Sequence, residues 1–413
     1  MAAPKKAKSD LTAKLLAKLA PYSPDAVRSS ETDVPSSIKF VLSTGLDPVD
    51  EYTGYIPFGR IVELYGLEGS GKTALAMRCC VRAQMREIYE KTTDEKGHVT
   101  LTRIDPDREV IILYIDNEQS LDEGEKISVD GVEVDAIIDR CDTIDEVFKK
   151  VDDTLSVLEA AADDPAKAPL AIVIVDTIAG TTTEQEINAE WGSQDYPRSP
   201  KQLRSAFSKL TRRVNRHNML LICTNQVGST FAAKPKRRTN PFAVDLPRPE
   251  DFPSSGGRAL KFYASLRIFL FPVNLDYKLQ KSVGGPDGFI SGFITVKNRQ
   301  VKPRREGRVV LLFDRGFTNT FSRLESMLKC KTITRGEKGV LEFHFAQNGI
   351  EVTTFPNQRA NTNPKIESTA AWPAFYESHQ VDIDALWRRT VDLTFGVVDA
   401  CEADADEEAA IPD

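Results

Sequence analysis

The chain has 413 residues, of which 41% are hydrophobic and 28% charged, and its formal net charge is -7. This composition excludes collagen-like, low-complexity and wholly disordered proteins, and the length allows one large domain with appendages or two to three domains. No apolar run approaches the roughly 20 residues that a helix needs to cross a bilayer, and the basic N-terminus lacks a hydrophobic signal core. We therefore expect a cytoplasmic protein that does not bind membranes.

Positive and negative charges are segregated along the chain. Residues 399–413 carry seven acids and no Lys or Arg, whereas residues 196–244 contain eleven Lys or Arg and no acid. A second basic run, residues 297–308, has six basic residues against one acid. This pattern favours a polyanion-binding face with an acidic tail able to compete for it, the alternative being ordinary solvated surface.

The predicted elements begin with a short helix, Leu11–Ala20, whose leucine stripe must dock on the core or on a neighbouring subunit. After a linker that reaches residue 37, strands and helices alternate, which predicts an α/β fold with a mostly parallel central sheet. Residues 91–108 predict an exposed hairpin. The predicted strands are 60–65, 110–115, 170–175, 219–224, 266–271, 289–296 and 309–313, and the predicted helices are 74–90, 143–162 and 201–217.

These elements predict four units along the chain. Residues 1–37 form the docking helix and linker, and residues 38–313 form the α/β core. Residues 314–398 form a small α+β domain, and residues 399–413 form an acidic tail predicted to be disordered.

A phosphate-loop pattern follows the first strong strand and precedes a helix. Its residues are Gly66, Leu67, Glu68, Gly69, Ser70, Gly71, Lys72 and Thr73, followed by Ala74. The glycines allow backbone N–H groups to surround the phosphates of a nucleotide at the helix N-terminus, where Lys72 adds a positive charge and the Thr73 hydroxyl ligates Mg²⁺. The pattern predicts that the protein binds a nucleoside triphosphate.

Three later strands end in polar residues at the edge of the sheet where α/β proteins bind ligands. Asp176 is expected to hold Mg²⁺ through water. Glu118 is expected to be the general base that deprotonates the attacking water. Gln226 is placed to sense a γ-phosphate.

Several segments together resemble the RecA family of DNA recombinases. They are GRIVELYGLEGSGKT, YIDNEQSLD, VIVDTIAG, ICTNQVG, GGRALKFYASLR and VKNRQVKP, in that order, across roughly residues 43–310. The resemblance implies a RecA-like phosphate-loop ATPase core. It also implies Glu118 as the catalytic carboxylate, Gln226 as the switch between nucleotide and DNA loops, and Asp122 as a contact to the base of ATP.

The same resemblance implies residues that act between protomers. Lys297 and Arg299 are expected to reach the nucleotide of the adjacent protomer, and Lys261, Phe262 and Arg267 are expected at the protomer interface.

Two DNA-binding loops are implied at residues 189–197 and 228–255. Basic and aromatic side chains alternate there, as suits a single strand whose phosphates and bases both need partners. Trp191 fits DNA stacking and a core position equally well. The residues expected to contact DNA are Trp191, Arg198, Lys201, Lys234, Lys236, Arg237, Arg238, Phe242, Gly256 and Gly257.

The sequence thus predicts a divergent recombinase that hydrolyses ATP, forms helical filaments on single-stranded DNA and pairs it with double-stranded DNA. A bacteriophage-encoded protein of the UvsX type, working with single-strand-binding and mediator proteins, fits this pattern. Two alternatives remain open: a hexameric helicase motor on the same core, and a recombination mediator that binds DNA without sustained hydrolysis.

Overall fold

A nine-stranded sheet forms the centre of the protein in the computed structural model. The structure describes residues 38–94, 98–118, 128–129, 131–161, 168–179, 181, 199–227, 247–255, 258–277, 286–313, 315–335, 341–343, 353–355, 376 and 380–395. The predicted docking helix and the acidic tail lie outside these ranges.

The strands and helices are numbered in chain order within the described residues. The strands are β1 Phe40–Leu42, β2 Ile56–Pro57, β3 Arg60–Gly66, β4 Ile88–Thr93, β5 Val99–Arg103, β6 Val110–Asp116, β7 Ser128–Val129, β8 Val132–Glu133, β9 Ile137–Asp139, β10 Leu170–Asp176, β11 Met219–Gln226, β12 Leu266–Tyr277, β13 Gly288–Asn298, β14 Glu306–Leu312, β15 Gly316–Thr318, β16 Ile333–Arg335, β17 Leu341–Phe343 and β18 Thr353–Phe355. The helices are α1 Asp47–Thr53, α2 Lys72–Gln84, α3 Ile144–Ala160, α4 Ser199–Arg216, α5 Ala259–Tyr263, α6 Asn319–Lys329 and α7 Gln380–Phe395. None of the helices within these ranges has the length and hydropathy required to span a bilayer.

The order of strands in the large sheet is β15-β14-β13-β12-β3-β11-β10-β6-β9. The six strands from β12 to β9 are parallel, and β13, β14 and β15 extend the sheet antiparallel. Every residue of β10 is buried, as expected for a strand covered on both faces. The mostly parallel α/β sheet predicted from the sequence is confirmed.

Helices cover both faces of this sheet because alternate strand residues point to opposite sides. On one face, Leu75 and Cys79 of α2 pack with Ile172 and Ile174 of β10. On the other face, α3 and α4 bury Val151 and Phe207 against the intervening strand residues. The start of α3 is fixed by a capping box, in which Thr143 accepts from the backbone of Glu146 and the Glu146 carboxylate accepts from the backbone N–H of Thr143.

One predicted helix boundary is wrong. The helix expected over residues 74–90 ends at Gln84, and Arg86 then adopts a positive φ of 60°. Ile88 starts β4, which pairs antiparallel with β1 and with β5. Pairing with Phe40–Leu42 overrides the local helical preference of this segment, while the hairpin predicted over residues 91–108 is confirmed.

The described part of the C-terminal segment continues the core. β15 is the last strand of the large sheet, so the predicted boundary at residue 313 falls within its final hairpin. Phe321 of α6 and Trp387 of α7 belong to the same buried cluster as Tyr52, whose ring stacks on Trp387 at 6.1 Å between centroids. β16, β17 and β18 form a separate three-stranded sheet.

Candidate active site

The phosphate loop joins the C-terminal end of β3 to the N-terminus of α2. Gly66 lies so close to β12 that an added Cβ would be 1.9 Å from the carbonyl oxygen of Leu270, so no side chain fits there. Gly71 has a φ of 85° and is the N-cap of α2. The first N–H groups of a helix have no partner within the helix and can bind phosphate. The loop leads directly into such a helix N-terminus, as its sequence predicts.

Side chains hold the loop in this curled form. Lys72 Nζ donates to the carbonyl oxygens of Leu67 at 2.8 Å and Gly66 at 3.3 Å. Ser70 Oγ donates to Leu67 O at 2.7 Å, and Ser291 Oγ of β13 donates to Ser70 O at 2.8 Å. Burial lowers the pKa of Lys72 below its ordinary value, an effect opposed by the charges of nearby acids, so its ammonium group is poorly solvated and ready to pair with an anion.

A cavity of about 1160 Å³ opens over the loop and is large enough for a nucleoside triphosphate. Its lining brings the predicted loop residues together with the polar residues that end β6, β10 and β11. Those lining residues are Gly66, Leu67, Glu68, Gly69, Ser70, Gly71, Lys72, Thr73, Ala74, Glu118, Asp176 and Gln226. Asp122, the expected contact to the base, lies outside the described residues.

Asp176 is fixed at the end of β10 by two hydroxyl groups. Tyr114 Oη donates to Asp176 Oδ2 at 2.7 Å, and Thr224 Oγ1 donates to Asp176 Oδ1. The side chain is 3% exposed. Both Asp176 oxygens already accept hydrogen bonds, which suits this carboxylate to orienting a metal-bound water rather than to binding a metal directly.

Glu118 and Gln226 are in direct contact across the cavity. Gln226 Nε2 donates to Glu118 Oε1 at 2.9 Å. The backbone N–H of Glu118 donates to Asp176 O at 3.3 Å, which ties the end of β6 to the end of β10. The two side chains that the sequence assigns to water activation and phosphate sensing are therefore hydrogen-bonded to each other in this structure.

Residues of the antiparallel extension also line the cavity and were missed from the sequence. Among them, Phe289, Phe313 and Arg315 lie near the turns that join β13, β14 and β15. The Phe289 and Phe313 rings are tilted with centroids 6.1 Å apart, and Phe313 is 62% exposed. Apolar side chains at strand ends carry no local signal for this location, because antiparallel pairing alone brings them beside the loop.

Lys297 and Arg299 lie toward the end of the sheet opposite to the phosphate loop. Lys297 is in register with Arg267, which is in register with Glu63 in the middle of β3, and Arg299 follows Lys297 away from the loop. Lys297 Nζ donates to the carbonyl oxygens of Lys261 at 3.0 Å and Phe262 at 2.8 Å, at the end of α5. Neither cation lines the cavity of its own protomer.

Phe262 and Arg267, both expected at a protomer interface, differ in exposure. Phe262 is 71% exposed. Arg267 is 7% exposed, and its guanidinium pairs with the fully buried Glu63 carboxylate. Its side chain therefore does not reach the surface for direct contact with another protomer, because a buried carboxylate needs this partner inside the fold.

The Glu63–Arg267 pair belongs to a buried network beside Gln226. Asn225 Nδ2 donates to Glu63 Oε1 at 3.0 Å and to Ser255 O at 3.1 Å. Arg267 Nη2 donates to Ser254 Oγ at 3.2 Å. The network holds the returning end of the second loop against the core.

Most residues expected to contact DNA lie outside the described part of the chain. They are Trp191, Arg198, Lys234, Lys236, Arg237, Arg238, Phe242, Gly256 and Gly257, while Lys201 lies in α4 with its backbone described. The two ends of the second loop are close together, since Val227 bridges Ser254 and the backbone N–H of Ser255 donates to Gln226 O at 2.9 Å. The loop therefore departs and returns next to Gln226.

The fold and the site define a phosphate-loop α/β protein with polar strand ends converging beside the loop. Residues 82–318 match the RecA N-terminal domain family. The chain is also 26% identical over 329 residues to Protein RecA of Synechocystis, covering 79% of each chain. It is 28% identical to Protein RecA of Colwellia psychrerythraea over 290 residues, covering 70% of this chain and 69% of the relative. Protein RecA of Thermus thermophilus is 29% identical over 289 residues, covering 69% and 70%. This chain belongs to the RecA family.

Proposed function

We propose that this protein is an ATP-dependent, Mg²⁺-requiring recombinase that assembles as a helical filament on single-stranded DNA and exchanges strands with double-stranded DNA. The observation that carries the proposal is the convergence of Lys72, Glu118, Asp176 and Gln226 on one cavity at the phosphate loop. Membership of the RecA family supports the DNA-directed role. Identities of 26–29% to bacterial relatives are compatible with the bacteriophage-encoded, UvsX-type role expected from the sequence.

The residues divide the chemistry of ATP hydrolysis between them. The loop N–H groups and Lys72 bind the β- and γ-phosphates, and Glu118 accepts a proton from the attacking water. Bound Mg²⁺ would offset charge on the phosphate oxygens, held by Thr73 directly and by Asp176 through water. Phe289 and Phe313 offer apolar faces to the adenosine.

Gln226 connects the nucleotide to the second DNA loop. Its side-chain amide donates to Glu118, whereas its backbone carbonyl oxygen accepts from the backbone N–H of Ser255 at the returning end of the loop. A γ-phosphate offers the amide a stronger, charged acceptor than it has in this structure. If the Gln226 amide donated to the γ-phosphate instead of to Glu118, Glu118 would be released for catalysis and the base of the second loop would move. The affinities for ATP and for DNA would then be linked.

We propose that copies of the chain assemble head to tail, so that the N-terminal end of the sheet in one copy contacts the phosphate-loop end of the next. Arg299 and Lys297 lie toward the N-terminal ends of the parallel strands: Lys297 is level with Glu63, about 10 Å of extended strand before Gly66, and Arg299 lies further from the loop. Neither side chain lines the nucleotide cavity of its own protomer, so we assign both to the nucleotide of another copy. A heterologous contact between copies would place these two cations against the nucleotide of the next copy. Repeating such a contact generates a helix unless the rotation between copies closes a ring. The exposed Phe262 supplies an apolar contact on the same face.

Electron microscopy with single-stranded DNA and a non-hydrolysable ATP analogue tests the proposal. We expect helical filaments with the analogue and none with ADP, together with strand exchange in the presence of ATP. Closed rings would support the helicase alternative. DNA binding without either assembly would support the mediator alternative.

A further inference from the structure

A hairpin of the large sheet forms one wall of the nucleotide cavity. β14 and β15 pair antiparallel up to Leu312 and Gly316, and the turn between them brings Phe313 and Arg315 into the lining of the cavity. The backbone N–H of Arg315 donates to the carbonyl oxygen of Leu312 at 3.3 Å, which closes the turn. Phe313 is 62% exposed, so the position of its ring depends on where the hairpin backbone is held.

The base of this hairpin is docked on α2, the helix that follows the phosphate loop. The Phe317 side chain of β15 is buried in the same cluster as Leu75 and Cys79 of α2. An added Cβ at Gly71 would lie 3.4 Å from Cζ of Phe317, so the ring covers the N-cap residue of the helix. The hairpin and the phosphate loop are therefore packed together at the start of α2.

Arg78, about two turns along α2 from the N-cap, adds a polar contact to the same strand. It is buried, and its Nη1 donates to the carbonyl oxygen of Phe317 at 3.2 Å. Its Nε donates to Thr44 O at 2.6 Å, and its Nη2 donates to Gly45 O at 3.4 Å. One planar guanidinium therefore joins three segments that are far apart in the chain: α2, β15 and the turn before α1.

The turn before α1 is itself held by hydrogen bonds, so it provides a fixed anchor. The buried carboxylate of Asp50 accepts from Ser43 Oγ at 2.6 Å, from Thr44 Oγ1 at 2.7 Å and from the backbone N–H of Thr44 at 2.8 Å. The side chain of Asn319, the first residue of α6, accepts from the backbone N–H of Asp47 at 2.8 Å and donates to its carboxylate at 2.9 Å. The guanidinium thus ties the hairpin to a turn that is fixed from two sides.

We propose that Arg78 is a positioning residue for the nucleoside part of ATP: by holding the Phe317 carbonyl, it fixes the turn that places Phe313 against the base. This inference rests on the proposed ATP site and adds to it a residue that does not touch the nucleotide. Arg78 is not among the described residues that line the cavity, so it acts through the hairpin. A ring that is already held in place loses less conformational freedom when a ligand binds. The guanidinium therefore raises the affinity for nucleotides that have a base and leaves the phosphate contacts unchanged.

The comparison between ATP and inorganic tripolyphosphate tests this role, because tripolyphosphate offers phosphates to the loop but has no base. Isothermal titration calorimetry in the presence of Mg²⁺ measures both affinities in dilute, full-length protein. We expect Arg78→Met to bind ATP about tenfold more weakly than the wild type and to bind tripolyphosphate with unchanged affinity. In DNA-stimulated hydrolysis the KM for ATP should rise by the same factor, while kcat stays close to that of the wild type.

Arg82→Met is the matched control. Arg82 lies one turn further along α2, and its guanidinium fills the space beside Gly45 that a side chain there would need. Within the part of the chain that the structure describes, no hydrogen bond joins Arg82 to β15. The control should bind both ligands as the wild type does.

Phe313→Ala removes the ring that Arg78 is proposed to place. Because Phe313 is exposed, the change leaves the core intact, and it should show the same loss for ATP alone. Adding Arg78→Met to this variant should weaken ATP binding no further, since both changes act through one contact. Thermal melting establishes whether Arg78→Met is folded. If it is not, Arg78→Lys, whose ammonium can still donate to a carbonyl oxygen, should show a smaller loss for ATP alone.

Three results would overturn the inference while leaving the proposed function intact. They are equal losses for ATP and tripolyphosphate in the Arg78 variants, unchanged ATP affinity in those variants, and additive losses in the double variant. The first would mean that Arg78 only supports the phosphate loop. A wild-type protein that binds neither ATP nor tripolyphosphate would instead contradict the proposed nucleotide site itself.

Discussion

The two ends of the parallel strands differ in how their charges are balanced. At the phosphate-loop end, Lys72 lies in the field of Glu118 and Asp176, and the polar side chains hydrogen-bond to one another. At the opposite end, Arg212, Arg216 and Arg299 line a second cavity of about 600 Å³, and the lining residues that the structure describes include no carboxylate. At the first end, positive and negative side chains therefore lie close together, whereas the described lining of the second cavity is positively charged.

An exposed aromatic side chain lies at each end of the parallel strands. Phe313 stands 62% exposed at the mouth of the nucleotide cavity, and Phe262 stands 71% exposed beside Lys297. Large exposed apolar residues that lie near a functional site are typical of contact surfaces. The comparison therefore predicts that changes at the first end act in a dilute protomer, and changes at the second end act only after assembly.

The largest effect is expected from Lys72→Ala at the first end. The ammonium group of Lys72 in the wild type would face the β- and γ-phosphates, where each charged hydrogen bond contributes about 1.5–3 kcal/mol. We expect ATP affinity in dilute protein to fall by at least about tenfold and ATP-dependent filament formation to be lost. Equilibrium binding of a fluorescent ATP analogue and electron microscopy measure the two effects.

An exposed lysine away from the site is the control for this change. Lys209→Ala on α4 should bind the analogue as the wild type does. Unchanged ATP-dependent DNA affinity in Lys72→Ala would contradict the assignment of the nucleotide site.

Glu118→Gln separates binding from hydrolysis at the same end. The new amide keeps an oxygen that can accept from Gln226 Nε2, but it cannot accept a proton from water. We expect filaments to form with ATP while single-turnover hydrolysis slows by about 10²–10⁴-fold. Turnover close to that of the wild type would show that another group is the base.

The sequence predicts those features that depend on contacts between residues close together in the chain. The phosphate loop, the buried strand Leu170–Asp176 and the capped helix α3 are encoded locally, and they were predicted within a few residues. Residues 88–90, the start of β4, were assigned to a helix because their pairing partner, β1, lies far away in the chain.

The same reasoning explains which site residues were missed. Phe313 and Arg212 are ordinary residues in sequence, and only strand order and helix placement bring them to the two cavities. Tyr114 and Thr224 likewise fix Asp176 through contacts between neighbouring strands. The buried position of Arg267 depends on Glu63, about two hundred residues earlier.

Arg299→Ala tests the second end with a smaller effect. Since the guanidinium lies far from its own phosphate loop, ATP binding by dilute protomers should be unchanged. DNA-stimulated hydrolysis should fall by about tenfold, the loss of one charged contact, and filaments should shorten. An equal loss of nucleotide affinity in dilute protein would mean that Arg299 acts within its own protomer, and the distinction between the two ends would fail.

The smallest effect is a pH dependence of assembly that arises from Lys297. Burial, together with the positive charges of Arg299 and Arg267, lowers its pKa to about 8 in the protomer. A phosphate of the next protomer's nucleotide would favour the charged ammonium and raise the pKa in the filament. The lysine's contribution to assembly is then fully present below about pH 8 and is lost as the pH rises through the raised value. One such group per interface can weaken assembly by no more than about tenfold per pH unit, because at most one proton is exchanged.

Light scattering of ATP-dependent assembly between about pH 7 and about pH 9 measures this slope. Lys297→Arg, whose side chain stays charged throughout, should assemble with a flatter profile. The same slope in both proteins would show that Lys297 does not face an anion in the filament.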